Sequence, residues 1–102
     1  MRRGVLELCI LSIIAEAEVY PSDIITKLKE SELIVVEGTL YPLLSRLKKD
    51  GLVDYNWKES TQGPPRKYFQ ITDTGKEFLH GLLDNWKQLV SAVSQTTKSV
   101  AK

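Results

Sequence analysis

Cysteine, methionine and histidine are each present once in the 102 residues, and tryptophan twice. A lone thiol, Cys9, builds no disulfide framework, so the chain suits a reducing cytoplasm and must be held by its core. Cys9 itself sits in an apolar stretch and reads as a small core residue. The one histidine, His80, has no acid or thiol at metal-ligand spacing and is expected to be an exposed bystander. Long apolar runs are also missing. Val5 to Ala15 falls short of a membrane span, is interrupted by Glu7 and Ser12, and has no small-residue cleavage site after it. It reads as a buried helix. There is no Ser/His/Asp or Cys/His arrangement, no glycine-rich phosphate loop and no metal-ligand cluster. The close acids Glu16 with Glu18, and Glu30 with Glu32, stand two apart and do not share a helix face. The chain therefore reads as no enzyme, with no cofactor, no metal and no membrane partner.

Neither sign of charge dominates. Lys and Arg number 14 against 13 Asp and Glu, a net charge of +1. Bulk charge is a poor guide to a phosphate-binding patch, and here charge is segregated by segment. Gly38 to Lys49 carries Arg46, Lys48 and Lys49 with no acid. Ser60 to Thr72 carries Arg66 and Lys67 with no acid.

Hydrophobic spacing divides the chain into helix, helix, helix, strand, strand, long helix. The first helix, about Gly4 to Ala17, is apolar around nearly its whole circumference and must be covered on several sides, for which a second subunit is expected. The second begins near Pro21 or Ser22, with Asp23 at its positive end and Ile24, Ile25 and Leu28 inward. The third starts near Glu37. Leu40, Leu43, Leu44 and Leu47 form its inner face, and Gly51 ends it with a left-handed cap. Pro42 is tolerable if it falls in the first turn, where its missing N–H has no intrahelical partner.

Leu52 to Glu59 alternates, with Val53, Tyr55 and Trp57 inward. Arg66 to Ile71 alternates with Phe69 and Ile71 inward and Arg66, Tyr68 and Gln70 outward. Ser60-Thr61-Gln62-Gly63-Pro64-Pro65 between them supplies turn residues, giving a hairpin with an exposed tip. Trp57 is expected in the core. Thr72 or Asp73 caps the last helix, whose Leu79, Leu82, Trp86, Leu89, Val93 and Val100 make a heptad seam. Helical to about Ser99, it would be roughly 40 Å long and overhang the body. Residues Lys98 to Lys102 are expected to fray.

This order predicts a mainly α (α+β) winged helix-turn-helix: three helices plus a two-stranded wing, then a long C-terminal dimerisation helix. Residues 1–71 are expected to form the DNA-binding domain and 72–102 the dimerisation helix. The third helix is the recognition candidate, because the N-terminal residues of such a helix reach base edges. Gly38 lets backbone approach DNA. Thr39, Tyr41 and Ser45 offer hydrogen bonds and apolar contact to bases, with Pro42 on the same exposed side. Arg46 and Lys49 suit phosphates. On the wing, Arg66, Lys67 and Tyr68 suit phosphate or minor-groove contact. The plain alternative is a solvated polar helix face and a hairpin whose edge lysines prevent aggregation.

Gly38-Thr39-Leu40-Tyr41-Pro42-Leu43-Leu44, Arg46-Leu47, Asp50-Gly51-Leu52-Val53, Gly63-Pro64-Pro65-Arg66-Lys67-Tyr68-Phe69 and Ile71-Thr72-Asp73-Thr74-Gly75 together resemble the PadR family of bacterial transcription regulators, in its smaller subgroup. Arg3-Gly4 and the apolar run Leu6 to Ile14 resemble the family's first helix. The chain departs from the family at Val19-Tyr20-Pro21-Ser22-Asp23-Ile24, where many members carry Gly-Tyr-Glu-Ile. Ser22 lies there, at a helix start placed to touch the phosphate backbone.

The resemblance implies a homodimer with its first and last helices at the interface, here Leu6, Ile10, Ile13, Leu79, Leu82, Trp86, Leu89 and Val93. It implies repression from a palindromic double-stranded DNA operator. It also implies a small aromatic effector held between subunits, for which Trp86 is the candidate contact. Plain packing of the dimer is the stronger reading of Trp86, because a large aromatic buries much area. The alternative function is a winged-helix protein-interaction module without DNA binding.

Overall fold

The computed structural model describes residues 3–60 and 63–100. Thr61 and Gln62 of the expected hairpin tip, and the last two residues of the expected fraying tail, lie outside the described residues. Four helices and one hairpin follow in order: α1 (Arg3–Glu16), α2 (Pro21–Glu30), α3 (Glu37–Lys49), β1 (Val53–Ser60), β2 (Gly63–Ile71) and α4 (Asp73–Thr96). This is the expected winged helix-turn-helix with a long C-terminal helix. The molecule measures 56 × 27 × 21 Å.

One core joins the first three helices to the base of the wing. Ile10, Leu11 and Ile14 of α1 meet Ile24 and Leu28 of α2, the four leucines of α3, and Val53 and Phe69 of the hairpin. The chain thus covers much of α1 itself, more than its all-round apolar sequence suggested. Ile10 is 0% exposed within one chain, which removes it from any face shared with a partner. Leu6 and Ile13 are partly buried against the same core, as are Leu79 and Leu82 of α4. Glu7 is also buried. Ser12 stays at the surface and returns its hydroxyl to the Leu8 carbonyl at 2.7 Å.

Helix α2 begins at Pro21, where a missing N–H costs nothing, and the Asp23 carboxylate accepts from the Tyr20 N–H at 3.0 Å. It ends in a Schellman turn. The Glu32 N–H bonds the Lys29 carbonyl (2.9 Å) and the Leu33 N–H bonds the Leu28 carbonyl (2.8 Å). The left-handed position of that turn holds Glu32, at φ 65°. Helix α3 ends the same way, but with a glycine: Gly51 has φ 76°, and the Leu52 N–H bonds the Leu47 carbonyl at 2.9 Å.

Pro42 is placed differently from expectation. Val36 is the N-cap and Glu37 the first helical residue, so Pro42 falls in the second turn rather than the first. There it lacks the N–H that would bond the Gly38 carbonyl, a defect worth about 3 kcal/mol in an ordinary helix interior. Four buried leucines on the opposite face, at roughly 1.5–3 kcal/mol each, outweigh it.

The hairpin pairs Val53 with Ile71, Tyr55 with Phe69 and Trp57 with Lys67 in antiparallel register, with an irregularity between Lys58 and Ser60. Val53 and Phe69 reach the core and Tyr55 packs against it, but Trp57 does not: it is 62% exposed, a correction to its expected core place. The alternation gave its side of the sheet correctly. The core simply stops before that residue. A further pairing was not foreseen. Val19, between α1 and α2, exchanges both backbone bonds with Phe69 (3.1 and 2.8 Å), adding a one-residue third strand beside β2.

Helix α4 is 24 residues long and stops at Thr96, before Ser99, so Val100 is not on it. Thr72 is its N-cap, accepting from the Gly75 N–H at 2.9 Å. Along it Trp86, Leu89, Val90 and Val93 are exposed.

Candidate nucleic-acid interface

The Val19–Phe69 pairing sets the site. It fixes Tyr20 beside the wing, and the Tyr20 ring meets the Tyr68 ring with centroids 3.8 Å apart and planes 32° apart. Helix α2 starts at the next residue, so its first turn, the exposed face of α3 and the wing all converge. Between them lies a groove of about 610 Å³. Its lining includes Ser22, Tyr41, Ser45, Arg66 and Lys67 from the expected contact set, and Tyr20, Lys48 and Tyr55 besides.

The cations around the groove differ in what they face. Among the described lining residues three are cations and none is an acid. Arg66 lies 5.0 Å from the centroid of the Tyr20 ring, and the Lys67 ammonium 4.4 Å from that of Tyr55. Among the described residues no carboxylate is within ion-pair reach of Arg66 or Lys67. These two cations therefore rest on aromatic faces with their charge uncompensated. Lys48 is partly spent, 3.5 Å from the Asp54 carboxylate. Lys58, the cross-strand partner of Arg66, is paired with Glu18 and stands 4.4 Å over the Tyr68 ring, so its own charge is compensated.

The expected residues do not all converge. Gly38, Thr39 and Pro42 are exposed along the first two turns of α3 but do not line the groove, and neither do exposed Lys49 and half-buried Arg46. Tyr68, expected to point outward to DNA, is half-buried with its ring committed to Tyr20. Its hydrogen bond with Tyr20, and then burial and nearby negative charge, raise its phenol above the usual tyrosine value. Lys48 was missed although helical spacing marks it: it follows Tyr41 and Ser45 at steps of four and three, on one face of α3. Tyr20 had one signal, its place in the stretch that departs from the family pattern. Nothing in the sequence marked Tyr55 beyond its inward register.

The remaining candidates are plain. His80 is exposed. Cys9 is partly buried against the core, and desolvation pushes its thiol up. Among the described residues no group of His, Cys, Asp and Glu is placed to hold a metal, and no helix is long and apolar enough to cross a membrane.

This geometry has close counterparts. A PadR-like transcription factor from Bacteroides fragilis superposes with a TM-score of 0.83 at 56% identity, covering 94% of this chain and 93% of that one. A PadR-like transcriptional regulator from Bacillus cereus gives 0.82 at 42% identity, covering 92% of each chain. The PadR of Bacillus subtilis, solved in complex with operator DNA, gives 0.73 at 26% identity, over 81% of this chain and 48% of that one. The family model described as transcriptional regulator PadR-like family matches residues 10–81. The chain belongs to the PadR-like family of transcriptional regulators.

Proposed function

We propose that this chain is a sequence-specific DNA-binding repressor that works as a homodimer on a palindromic operator in the cytoplasm. The observation that carries the proposal is the groove, where uncompensated Arg66 and Lys67 stand beside the polar face of α3. Thr39, Tyr41 and Ser45 on that face read base edges in the major groove, while Gly38 at its start allows close backbone approach. Arg66, Lys67, Arg46, Lys49 and Ser22 hold phosphates, which fix register without reading sequence. The operator-bound Bacillus subtilis relative supports this assignment by its fold.

Residues 1–71 serve as the DNA-binding unit, and within 72–102 it is α4, Asp73–Thr96, that serves as the dimerisation helix. The bare stripe of Trp86, Leu89, Val90 and Val93 supports dimerisation, since exposed apolar side chains at this spacing gain by being covered. A second subunit covers them most economically and sets two recognition helices about one helical turn of DNA apart. A small aromatic effector near Trp86 would act by favouring a subunit angle that spoils this spacing, and only differential affinity for the two arrangements drives such a change.

Anisotropy of a labelled duplex taken from upstream of this chain's own gene tests the function. Saturable binding at physiological salt, about a thousandfold or more tighter than to mixed-sequence duplex, is expected, the low end of specific recognition. Equal weak binding to both would leave a winged-helix protein-interaction module as the better reading.

A further inference from the structure

Trp57 is a large aromatic side chain that the fold leaves unused. It shares a face of the wing with Val53 and Tyr55 and stands opposite Lys67. Val53 is in the core, Tyr55 is half-buried, and Trp57 is 62% exposed. The Lys67 ammonium lies 5.2 Å from its ring, and the Tyr55 ring meets it edge-on with centroids 6.3 Å apart. Tyr55 and Lys67 both line the groove. The indole therefore prolongs the groove wall by two strand residues, about 7 Å, toward the hairpin tip. Helix α4 follows the other end of β2, at Ile71, four register positions from the Lys67 that pairs with Trp57.

We propose that Trp57 is a DNA contact on the wing. Its ring lies against deoxyribose at the rim of the minor groove next to the major groove occupied by α3, and it steadies the Lys67 ammonium over a phosphate. This deepens the DNA-binding reading and rests on it. The chemistry fits a sugar–phosphate edge. The indole offers a flat apolar face to sugar C–H groups and a single N–H donor, and the cation above it is ordered before DNA arrives. Ordering that long side chain in advance lowers the entropy lost when it engages a phosphate. Such a contact carries no base information, so it acts on every sequence alike.

The test compares the wild-type chain with Trp57→Phe and Trp57→Ala. Each is titrated with two fluorescein-labelled duplexes, one from upstream of the gene and one of mixed sequence at low salt. Duplex anisotropy reports the complex, and acrylamide quenching of protein emission reports shielding of the indoles. DNA should shield wild-type emission, and that shielding should vanish in Trp57→Phe, whose remaining tryptophan is Trp86. Trp57→Ala should weaken both duplexes about tenfold, the loss of one favourable cation–π and packing contact, and Trp57→Phe should recover most of it. Complete complex formation without any shielding of Trp57 overturns the inference and leaves the DNA-binding reading intact. So does a loss confined to one sequence, or shielding that rises with protein concentration in the absence of DNA. Failure of either duplex to bind sinks the DNA-binding reading itself, and this inference with it.

Discussion

Gly75 lies directly against the backbone of Leu52. A methyl group on its α-carbon would overlap the Leu52 carbonyl oxygen and stand 2.8 Å from Ile71 Cγ1. The Leu52 oxygen is fixed there because it accepts the Thr72 N–H at 3.1 Å, and the Thr72 hydroxyl donates to the Gly51 carbonyl at 2.6 Å. The end of α3, the end of the wing and the start of α4 are thereby tied at one point. This joint aims α4 relative to α3. Gly75→Ala should cost about 3 kcal/mol, because the atoms it would strike are backbone and cannot step aside. Thr72→Ala should cost about 1–2 kcal/mol through the lost cap. Urea unfolding followed by circular dichroism checks both, and a neutral Gly75→Ala would show that the joint is not tight.

Glu32 offers the opposite change. It occupies the left-handed position that ends α2, where a side chain costs about 1–2 kcal/mol and glycine costs nothing sterically. Part of that gain is returned as the extra entropy of an unfolded glycine. Glu32→Gly should therefore stabilise the chain by up to about 1 kcal/mol, or roughly 4–8 °C in Tm for a chain of this size. A lower Tm would mean that the Glu32 side chain contributes something the turn geometry does not reveal. The same site shows what a sequence leaves hidden. Gly51 announces the end of α3, but Glu32 gives no sign that α2 ends in the same turn.

Much of the fold was legible because periodicity and caps are local. The α3 leucine spacing, Gly51 and Thr72 placed helix ends within a residue or so. Errors arose where the answer depends on how far a core extends. Alternation put Trp57 on the correct side of the wing but did not show that the core ends at Tyr55. All-round apolar sequence in α1 suggested a partner for Ile10, whereas its own chain encloses it. The groove was legible only in part. Tyr41, Ser45, Arg66 and Lys67 were found from residue type and spacing and Ser22 from its place at a helix start, but Tyr20 enters through the Val19–Phe69 pairing, between residues far apart in sequence.

The tyrosine pair gives a pH signature. The Tyr68 phenol is raised, first by its hydrogen bond with Tyr20, so the fold prefers it protonated. The stability that this contributes is fully present below the ordinary tyrosine pKa of about 10 and is lost as pH rises through the higher folded value. Phenolate absorbance should show one tyrosine titrating late, and Tyr20→Phe should bring it back toward the ordinary value. Unaltered titration in Tyr20→Phe would mean the hydrogen bond is not the cause.

Groove residues should divide by what they touch. With about six to eight phosphate contacts per dimer, affinity should fall by about three orders of magnitude between low and physiological salt. Joint replacement Arg66→Ala with Lys67→Ala should weaken every duplex and flatten that slope by about two phosphates per subunit. Tyr41→Ala or Ser45→Ala should weaken the upstream duplex by about 1–3 kcal/mol while leaving mixed-sequence binding nearly unchanged. Equal losses on both duplexes from both sets would remove base reading from α3.

Dimerisation is best tested where core and bare stripe part company. Leu89 and Val93 are 52% and 50% exposed, so one chain makes little use of them. Their replacement by glutamate puts charge into any face covered by a partner, where an unpaired buried charge costs several kcal/mol. Leu89→Glu with Val93→Glu should therefore yield a folded monomer by sedimentation, with wild-type helix content at low temperature and much weaker operator binding. Ile10→Ala acts through the other term. It opens a cavity inside one chain and should cost about 2–5 kcal/mol of stability, without the charge repulsion that drives subunits apart. A Leu89→Glu, Val93→Glu chain that remained dimeric at micromolar concentration would place the partner surface away from this stripe, and the spacing of the two α3 helices would then need a different origin.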